Sequence, residues 1–393
     1  MRNDVEADLD MTTTLQSLNP TVNLDGQQRM EQPNELLENY GELLKRGGIS
    51  WTAHHHFQRT LGQGGQGVVY LTERRGADGF TLPIALKVFS PKPYEDARTY
   101  ELDMERIAGV AARVANIQQD NLLYVHDFYD RNHIRLMLME WIDGCDIRSL
   151  LSNDLLARLR ERVSESRWDH INQVVLTEGE EQPVMMPGVA VQIVRDCLAA
   201  LAALHRNDIV HGDIKPANIM LKRTGNAKII DIGSAFDLRD PSPLRTCTPR
   251  YAAPEILDGG QSTRRSDLAS LGYVLIELLS GKPIFAGLTQ YGELLEAKRF
   301  LAKRLDDVLP ESITCNELLM EFCQRLIAPD PTRRFPTAED ADLVETGAAA
   351  FHRQLVKSDL ASEYENEIRI WLEEIKEIEE SDFRRQTDPT KRK

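Results

Sequence analysis

This sequence of 393 residues has few cysteines and no long apolar run, and its basic residues are fewer than its acidic ones. The five cysteines are odd in number, scattered, and without CxxC spacing, which argues against a disulfide framework or a cysteine metal site. A reducing compartment is the default for such a chain. The positions are Cys145, Cys197, Cys247, Cys315 and Cys323.

No apolar run approaches the roughly 20 residues that an α-helix needs to cross a bilayer. The best candidate, Gly188 to Leu204, is interrupted by Gln192, Arg195 and Asp196, and this pattern predicts a buried amphipathic helix. The N-terminus is acidic and polar and lacks a signal-peptide pattern. We therefore expect a cytoplasmic protein without a membrane span.

The charge balance argues against another class of function. With 62 acidic and 47 basic side chains, the formal net charge is −15. Proteins that bind nucleic acid attract its phosphates through Lys and Arg, so we expect no nucleic-acid partner. Hydrophobic residues make up 41% of the chain, which is enough to build a core.

Composition divides the chain into three parts. Residues 1–50 are rich in Asn, Gln, Thr and acidic residues, which predicts a mostly disordered extension with a short helix over 34–45. Residues 51–345 carry the patterns of one folded unit, in which about 153–187 form a polar, charged insertion between two helices. Residues 346–393 predict a helix with Trp371 on its apolar side and then a basic tail, expected to be solvated and disordered.

Short β-prone runs and one helical pattern open the folded unit. Five strands are predicted over 57–61, 68–73, 84–89, 122–129 and 134–141. Residues 94–117 predict a helix from the spacing of Leu102, Ile107, Val110 and Val114. Helical patterns dominate beyond residue 147, so the predicted fold class is α+β.

A glycine-rich run, LGQGGQGVVY at residues 61–70, matches G-x-G-x-x-G-x-V. Alone this pattern is weak evidence, because dinucleotide-binding folds share it. A dinucleotide loop leads from a strand into a helix, whereas β-branched residues follow here, so the loop joins two strands as a flap over phosphates. Glycines let the backbone approach the phosphates without Cβ clashes.

The most informative stretch is VHGDIKPANIM, residues 210–220, followed by IDIG, residues 230–233. It places Asp213, Lys215 and Asn218 at fixed offsets and Asp231 in a short apolar strand pattern. Phosphoryl transfer to a hydroxyl needs a carboxylate that accepts the proton, a cation beside the phosphate, and an amide and a carboxylate that hold Mg²⁺. The two motifs resemble the catalytic and Mg²⁺ loops of eukaryotic-like Ser/Thr protein kinases.

The resemblance covers about residues 57–345 and implies a bilobal protein-kinase fold. The N-lobe (51–142) would hold a five-stranded antiparallel sheet and one helix, and the C-lobe (143–345) would be larger and mainly helical. Asp213 would be the catalytic base, Lys215 would stabilise the γ-phosphate, and Asn218 and Asp231 would bind the metal. The implied cofactors are ATP and Mg²⁺, with Mn²⁺ as an alternative, and the implied substrates are protein Ser and Thr hydroxyls.

The resemblance also assigns the groups that bind the phosphates from the N-lobe. In the run IALK, residues 84–87, Lys87 would reach the α- and β-phosphates. Its carboxylate partner should lie on the following helix, where Glu105 is favoured over Glu101. The other implied nucleotide contacts are Leu61, Gly62, Gly64, Gly67, Val69 and Ala85.

Residues 137–144, MLMEWIDG, resemble the segment that links the lobes and binds adenine. Met139 would be the gatekeeper, and Glu140 and Ile142 would offer backbone groups to the base. Asp146 would face the ribose hydroxyls. The sequence of the glycine-rich loop, LGQGGQGVVY, resembles that of free-standing prokaryotic members of the family.

The resemblance also implies four further positions that support the site. Thr248, before the Ala-Pro-Glu triplet at 253–255, is expected to contact the catalytic Asp and Lys. Glu255 should pair with Arg334, and Asp267 should anchor the backbone of the catalytic loop.

Two positions depart from the family pattern: Gly212 replaces the usual Arg, and Ile232 replaces the usual Phe. Without that Arg, a phosphate on the following loop lacks its main charge-assisted partner. We therefore predict that activity does not require phosphorylation at Ser242, Thr246 or Thr248. Ile232 keeps an apolar side chain and should be tolerated.

An active Ser/Thr protein kinase is the leading hypothesis, because every charged catalytic position is filled. A pseudokinase scaffold would ordinarily lack the Lys, the Asp or the Asn. Small-molecule kinases share the Asp and Asn logic, but are not expected to carry the Thr-Pro-x-Tyr-x-Ala-Pro-Glu segment with its distal Arg.

Overall fold

The computed structural model describes residues 22–23, 34–46, 48–49, 55–239, 246–356 and 364–387. The predicted helix over 34–45 is present within these ranges. The predicted disorder before residue 34 and the basic tail after 387 concern residues that lie almost wholly outside them. The strands in chain order are β1 (Val22–Asn23), β2 (Gly48–Ile49), β3 (His55–His56), β4 (Arg59–Gly64), β5 (Gly67–Arg75), β6 (Thr81–Phe89), β7 (Val125–Arg131), β8 (Ile134–Glu140), β9 (Gly144–Asp146), β10 (Leu176–Thr177), β11 (Val184–Met185), β12 (Ile209–Val210), β13 (Ile219–Lys222), β14 (Ala227–Ile229), β15 (Phe236–Asp237) and β16 (Thr246–Cys247).

Helices make up most of the second half of the chain. In order they are α1 (Asn34–Lys45), α2 (Ala97–Val114), α3 (Ile147–Leu150), α4 (Asn153–Arg160), α5 (Glu165–Val174), α6 (Pro187–Arg206), α7 (Pro254–Leu257), α8 (Arg264–Ser280), α9 (Tyr291–Leu301), α10 (Leu305–Val308), α11 (Glu311–Thr314), α12 (Glu317–Leu326), α13 (Ala338–Leu343), α14 (Ala348–Val356) and α15 (Tyr364–Thr387). Short 3₁₀ turns are formed by Ala77–Gly79, Pro216–Asn218 and Pro331–Arg333.

The predicted five-stranded antiparallel sheet is confirmed, in the spatial order β4-β5-β6-β8-β7. Strand β6 lies at its centre, and Leu86 and Val88 are fully buried. The β7 strand begins at Val125 rather than at the predicted Leu122. The reason is that the Leu123 amide donates to the Ile229 carbonyl (2.9 Å), so this stretch belongs to the C-lobe backbone network.

Helix α2 is the single long helix of the N-lobe. It begins after Asp96, whose carboxylate caps it by accepting from the Thr99 amide (2.7 Å). Tyr100, Met104 and Ile107 form its fully buried stripe. The prediction that Leu102 belongs to the apolar face is wrong, because that side chain is 52% exposed.

The C-lobe is mainly helical, as predicted, and α6 and α8 lie at its centre. Among the described residues, α6 is the helix that is long enough and apolar enough to cross a membrane. However, 78% of its apolar window is buried inside the protein. This burial agrees with the buried helix that the sequence pattern predicts. Two small sheets, β14-β13-β9 and β12-β15, form the floor of the cleft between the lobes. Strand β1 pairs with β16, so that Val22 lies opposite Cys247.

The predicted polar insertion is folded. It contains α4, α5 and the hairpin β10–β11, and its two helices begin directly after Ser152 and Ser164, whose side chains cap them. Helix α15 packs against this insertion, with Arg167 bonded to Glu367 (2.5 Å) and Glu374 (2.8 Å). The apolar face of α15 is buried, as predicted for Trp371, and consists of Tyr364, Ile368, Trp371, Leu372, Ile375 and Ile378.

Helix α15 also touches the segment between the lobes. Lys376 pairs with Asp143 (3.4 Å), and Arg223 bridges the same carboxylate (2.7 Å) and the Leu372 carbonyl. The segment between the lobes is therefore fastened to the C-terminal helix.

A buried ion pair supports the end of the segment that follows the catalytic loop. Both guanidinium η-nitrogens of Arg334 donate to Glu255, each at 2.7 Å, as the sequence predicts. The Arg334 side chain is fully buried, and that of Glu255 is 17% exposed.

Candidate active site

The catalytic loop is held by a buried carboxylate beneath it. Asp267, on α8, accepts from the amides of His211 and Gly212 (2.9 Å each) and contacts Nε2 of His205 (2.9 Å). Gly212 has φ +78°, a left-handed conformation that glycine adopts without strain. The predicted role of Asp267 as the anchor of this loop is confirmed.

Asp213 is the centre of a compact polar cluster. Its Oδ2 lies 2.8 Å from the Lys215 ammonium, and its Oδ1 accepts from the Thr248 hydroxyl (2.7 Å) and amide (3.0 Å). Lys215 also donates to Thr248 Oγ1 (2.9 Å). The Asn218 amide group donates to the Asp213 carbonyl (2.8 Å). The predicted contacts of Thr248 with the Asp and the Lys are therefore confirmed.

Asp231 and Lys87 meet across the cleft. Asp231 follows β14, has φ +62°, and its Oδ1 lies 2.5 Å from the Lys87 ammonium. The same oxygen accepts from the Gly233 amide (3.1 Å). Burial alone would raise the pKa of Asp231, but Lys87 and the Gly233 amide outweigh it and lower the pKa to about 2. Asp231 is thus an anion at any ordinary pH.

The predicted pairing of Lys87 with Glu105 is wrong for this structure, and Glu101 does not replace it. In the part of the chain that the structure describes, the Lys87 ammonium bonds to Asp231 and to Gln66 (2.9 Å). Glu105 is exposed, because the stripe of α2 that packs on the sheet lies on another side of the helix. Sequence spacing gives the position of a residue along the helix, but not the rotation of the helix about its axis.

The glycine-rich loop is the turn between β4 and β5, as predicted. Gly64 pairs with Gly67, and Gly62 pairs with Val69. Gly67 has φ +142°, and a Cβ there would lie 2.0 Å from the Val88 carbonyl oxygen, so only glycine fits. Leu61 is 39% exposed at the open edge of the sheet.

Gln66, at the tip of this loop, is a site residue that sequence reasoning missed. Its carboxamide oxygen accepts from Lys87, and its backbone carbonyl accepts from the Ser90 amide (2.9 Å). Its side chain also lies against Gly233, where a Cβ would be 2.1 Å from Oε1. Only the position of Gln66 in the loop could have suggested this contact.

The strand that leads into the segment between the lobes holds the predicted gatekeeper. Met139 is 6% exposed and lies opposite Ala85 in β6, so the two side chains line the inner end of the cleft. The Glu140 carboxylate, for which no role was predicted, accepts from Lys228 and from the Tyr124 amide (2.6 Å each). This ion pair links the N-lobe sheet to the floor of the cleft.

Ile142 and Asp146 follow in the segment itself. Ile142 is half-buried. Asp146 caps α3, since its carboxylate accepts from the amide (3.0 Å) and the hydroxyl (2.6 Å) of Ser149. The predicted contact of Asp146 with a ribose would have to share this carboxylate with the cap.

The two predicted metal ligands are brought together by the β13–β14 hairpin. The Ile230 amide donates to the Asn218 carbonyl (2.9 Å), which places Asn218 beside the residue that precedes Asp231. A carboxylate and a carboxamide oxygen are hard donors of the kind that Mg²⁺ prefers. No group of three or more His, Cys, Asp or Glu side chains that could hold a metal is found in the described ranges, so a bound ion would draw its remaining ligands from phosphate or water.

Comparison with known families agrees with this geometry. The family model described as the protein kinase domain matches residues 55–342. The chain belongs to the protein kinase family. The confirmed fold and the Asp213, Lys87 and Asp231 geometry therefore describe a kinase domain.

Its relatives include bacterial serine/threonine-protein kinases. The chain is 28% identical to PrkC of Bacillus subtilis over 298 residues, which cover 74% of this chain and 40% of that protein. It is 29% identical to PknD of Mycobacterium tuberculosis over 310 residues, 77% of this chain and 40% of that protein. A third relative, PknB of the same species, is 34% identical over 185 residues, 44% of this chain and 28% of that protein. The matches thus span about two fifths or less of these relatives.

Proposed function

We propose that this kinase domain transfers the γ-phosphoryl group of ATP to serine and threonine hydroxyls of proteins. One observation carries the proposal: Asp213, Lys215, Asn218 and Thr248 are bonded to one another in a single cluster. A carboxylate that accepts a hydrogen bond from a hydroxyl and lies beside an ammonium is the arrangement that phosphoryl transfer to a hydroxyl uses.

Each residue of the cluster has a distinct task. Asp213 orients the substrate hydroxyl and accepts its proton. In this structure the same carboxylate accepts a hydrogen bond from the Thr248 hydroxyl. Lys215 lies beside the same carboxylate and neutralises charge on the phosphoryl group in transit. Lys87 holds the α- and β-phosphates from above. Asn218 and Asp231 hold Mg²⁺, which when bound neutralises charge on the phosphates.

The adenine end of the nucleotide would lie between the lobes. Met139 and Ala85 supply the apolar wall, and the backbone of Glu140 and Ile142 supplies hydrogen bonds to the base. Leu61, Gly62, Gly64, Gly67 and Val69 would cover the nucleotide from above, and Asp146 would reach the ribose. Mn²⁺ could take the place of Mg²⁺, because both accept oxygen ligands.

Activity should be independent of phosphorylation on the loop that follows Asp231. Gly212 provides no guanidinium for a phosphate, and the Thr248 hydroxyl is already bonded to Asp213 and Lys215. Thr246 has a described backbone, whereas Ser242 lies outside the described residues. Phosphatase treatment should leave activity unchanged, and a loss above tenfold that autophosphorylation restores would refute this part.

The expected setting is the cytoplasm, with protein substrates and no nucleic-acid partner. It is supported by the net charge of −15 and by the burial of the apolar helix α6 in the C-lobe.

The test is transfer of labelled phosphate from ATP and Mg²⁺ to a generic basic protein. Wild-type protein should label serine and threonine. Asp213→Asn and Lys87→Met should each abolish labelling while thermal denaturation shows that they fold. Labelling retained by either variant would overturn the assigned roles, and an inactive wild type that still binds ATP would favour a scaffold. Phosphate transferred to small metabolites but not to protein would favour a small-molecule kinase.

A further inference from the structure

Helix α2 presents an arginine to the cleft at the level of Asp231. Arg106 follows Glu105 directly, and successive helical residues lie about 100° apart, so the two side chains leave the helix in different directions. The Arg106 side chain is 12% exposed, and that of Asp103, one turn earlier, is 6% exposed. The function proposed above uses neither of them, although burying a charged side chain is costly unless it is paired.

The guanidinium of Arg106 holds the backbone that follows Asp231. Its Nη2 donates to the Gly233 carbonyl (2.7 Å), and its Nη1 donates to the Ala235 carbonyl. We call residues 231–235 the Asp231 loop. A planar guanidinium can bond two carbonyls at once in a fixed geometry, which the single ammonium of a lysine cannot reproduce.

Asp103 fixes the direction of this guanidinium. Its Oδ1 accepts from Arg106 Nε (2.7 Å), and its Oδ2 accepts from the Tyr94 hydroxyl (2.6 Å). Burial, and then the neighbouring carboxylate, raise the pKa of Tyr94 well above its ordinary value, so the phenol remains a donor. Tyr94, Asp103 and Arg106 thus form one chain of charge-assisted bonds that ends on the Asp231 loop.

The same loop residue connects Arg106 to the metal-binding carboxylate. Gly233 gives its carbonyl to Arg106 and its amide to Asp231 Oδ1 (3.1 Å). Asp231 itself has φ +62°, a conformation that non-glycine residues adopt at a cost and only where the surroundings impose it. The contacts of Arg106 are part of those surroundings.

A second arginine ties the same helix to the C-lobe. Arg113 lies seven residues after Arg106, on the same side of α2, because two helical turns take about 7.2 residues. It donates to the Asp237 carboxylate and to the Asn207 carbonyl. Helix α2 is therefore anchored to the Asp231 loop itself through Arg106, and to Asp237 and Asn207 through Arg113.

We infer that Arg106 is a positioning residue that, oriented by Asp103, holds the Asp231 loop in the conformation in which the Asp231 carboxylate, together with Asn218, would bind Mg²⁺. The sequence predicts that a carboxylate of α2, bonded to Lys87, connects this helix to the phosphate site. In the structure Arg106 makes the connection instead. The inference rests on the proposed kinase function, but its physical content is the placement of Asp231.

The decisive experiment compares Arg106→Ala and Arg106→Lys with Arg98→Ala. Arg98 is an exposed arginine of the same helix and loses the same charge. Residues that orient a metal ligand typically cost about 10–100-fold in metal affinity or activity when they are removed. Both Arg106 variants should therefore lower kcat and raise the Mg²⁺ concentration for half-maximal rate within that range, whereas Arg98→Ala should stay within about twofold of wild type.

A second readout does not need transfer to occur. A fluorescent ATP analogue should bind Arg106→Ala as tightly as wild type in EDTA, but should gain less affinity from added Mg²⁺. Hydrogen exchange at the amides of residues 232–236 should be faster in the variant. An inactive wild type would refute the proposed function, while these measurements would still decide on Arg106.

Double-mutant coupling separates positioning from plain stability. If Asp103 acts through Arg106, Asp103→Asn should reduce activity alone and should add little to Arg106→Ala. The inference fails if the two losses multiply, or if Arg106→Ala changes the melting temperature but neither the Mg²⁺ dependence nor the exchange. Should Arg106→Ala not fold, Arg106→Lys carries the same comparison.

Discussion

Breaking the pair between Glu255 and Arg334 should destabilise the C-lobe far more than its two hydrogen bonds suggest. Arg334 uses all five of its N–H groups. Two reach Glu255 (2.7 Å each), and the others reach the carbonyls of Ala328 (2.7 Å), Arg265 (3.0 Å) and Pro329 (3.3 Å). The side chain is fully buried, so water cannot replace a lost partner.

Two variants probe different halves of this arrangement. Glu255→Gln keeps the shape but leaves the guanidinium charge without its counter-ion, and removing one partner of a buried pair costs about 3–5 kcal/mol. Arg334→Lys keeps the charge but has three donors for five bonds, so two acceptors lose their donors at about 1–3 kcal/mol each. A loss of 3–5 kcal/mol corresponds to a fall of roughly 6–20 °C in Tm for a domain of 150–250 residues, and to a smaller fall for this larger domain of residues 55–342.

Thermal and guanidinium denaturation of the full chain measure this change. Arg333→Lys is the matched control, because Arg333 is the adjacent arginine and is exposed. It should change the free energy of unfolding by no more than about 0.5 kcal/mol. If Glu255→Gln and Arg334→Lys behaved like this control, the pair would not brace the lobe and the reasoning would be refuted.

Three other predictions concern substitutions of single residues. Gly67→Ala should destabilise the protein by roughly 1–3 kcal/mol from its backbone conformation alone. Gly109→Ala, at an open helix position, should stabilise it by about 0.5–1 kcal/mol. In denaturant melts the two variants should therefore change the free energy of unfolding in opposite directions. Glu105→Gln should keep phosphate transfer within about twofold of wild type, and a tenfold loss would restore Glu105 as the partner of Lys87. Burial raises the pKa of Glu277 from 4.5 to about 7, so the folded state binds its proton more tightly and the free energy of unfolding should fall as pH rises through that window, on the order of 3 kcal/mol in all. Glu277→Gln should remove this slope in denaturant titrations at several pH values.

The sequence predicted the elements of the fold well because local patterns determine them. The five strands and their order relative to one helix follow from alternation and glycine turns. Helix starts that were left vague are also local: Asp96, Ser152 and Ser164 cap α2, α4 and α5 with their side chains. These residue types are typical of helix N-caps, so the starts of the three helices could have been predicted from the sequence.

The rotation of α2 could not be obtained in this way. Including Leu102 in the apolar stripe turns the helix so that Glu105 faces the cleft. The observed stripe of Tyr100, Met104 and Ile107 turns it so that Arg106 does. Which stripe packs on the sheet depends on the neighbouring strands, and that information is not contained in the spacing of one helix.

Contacts between distant segments divide in the same way. The pairs Glu255–Arg334 and Asp213–Thr248 were predicted because each motif implies its partner. Gln66 with Lys87, and Glu140 with Lys228, join residues that no motif connects. These two pairs depend on how close the glycine-rich loop lies to the cleft and on how the β13–β14 hairpin packs against the N-lobe sheet. Both are determined only when the two lobes are assembled.

The position of α15 changes what counts as one unit of this protein. The match to the kinase family ends at residue 342, yet the buried core continues through Trp371 to Ile378. A protein that ended at residue 342 would expose the apolar surface that α15 covers and would leave Arg167 and Asp143 without their α15 partners. The region matched by the family model and the buried core therefore end about thirty-five residues apart in this chain, and a protein that ended with the match would lose the contact of α15 with the segment between the lobes.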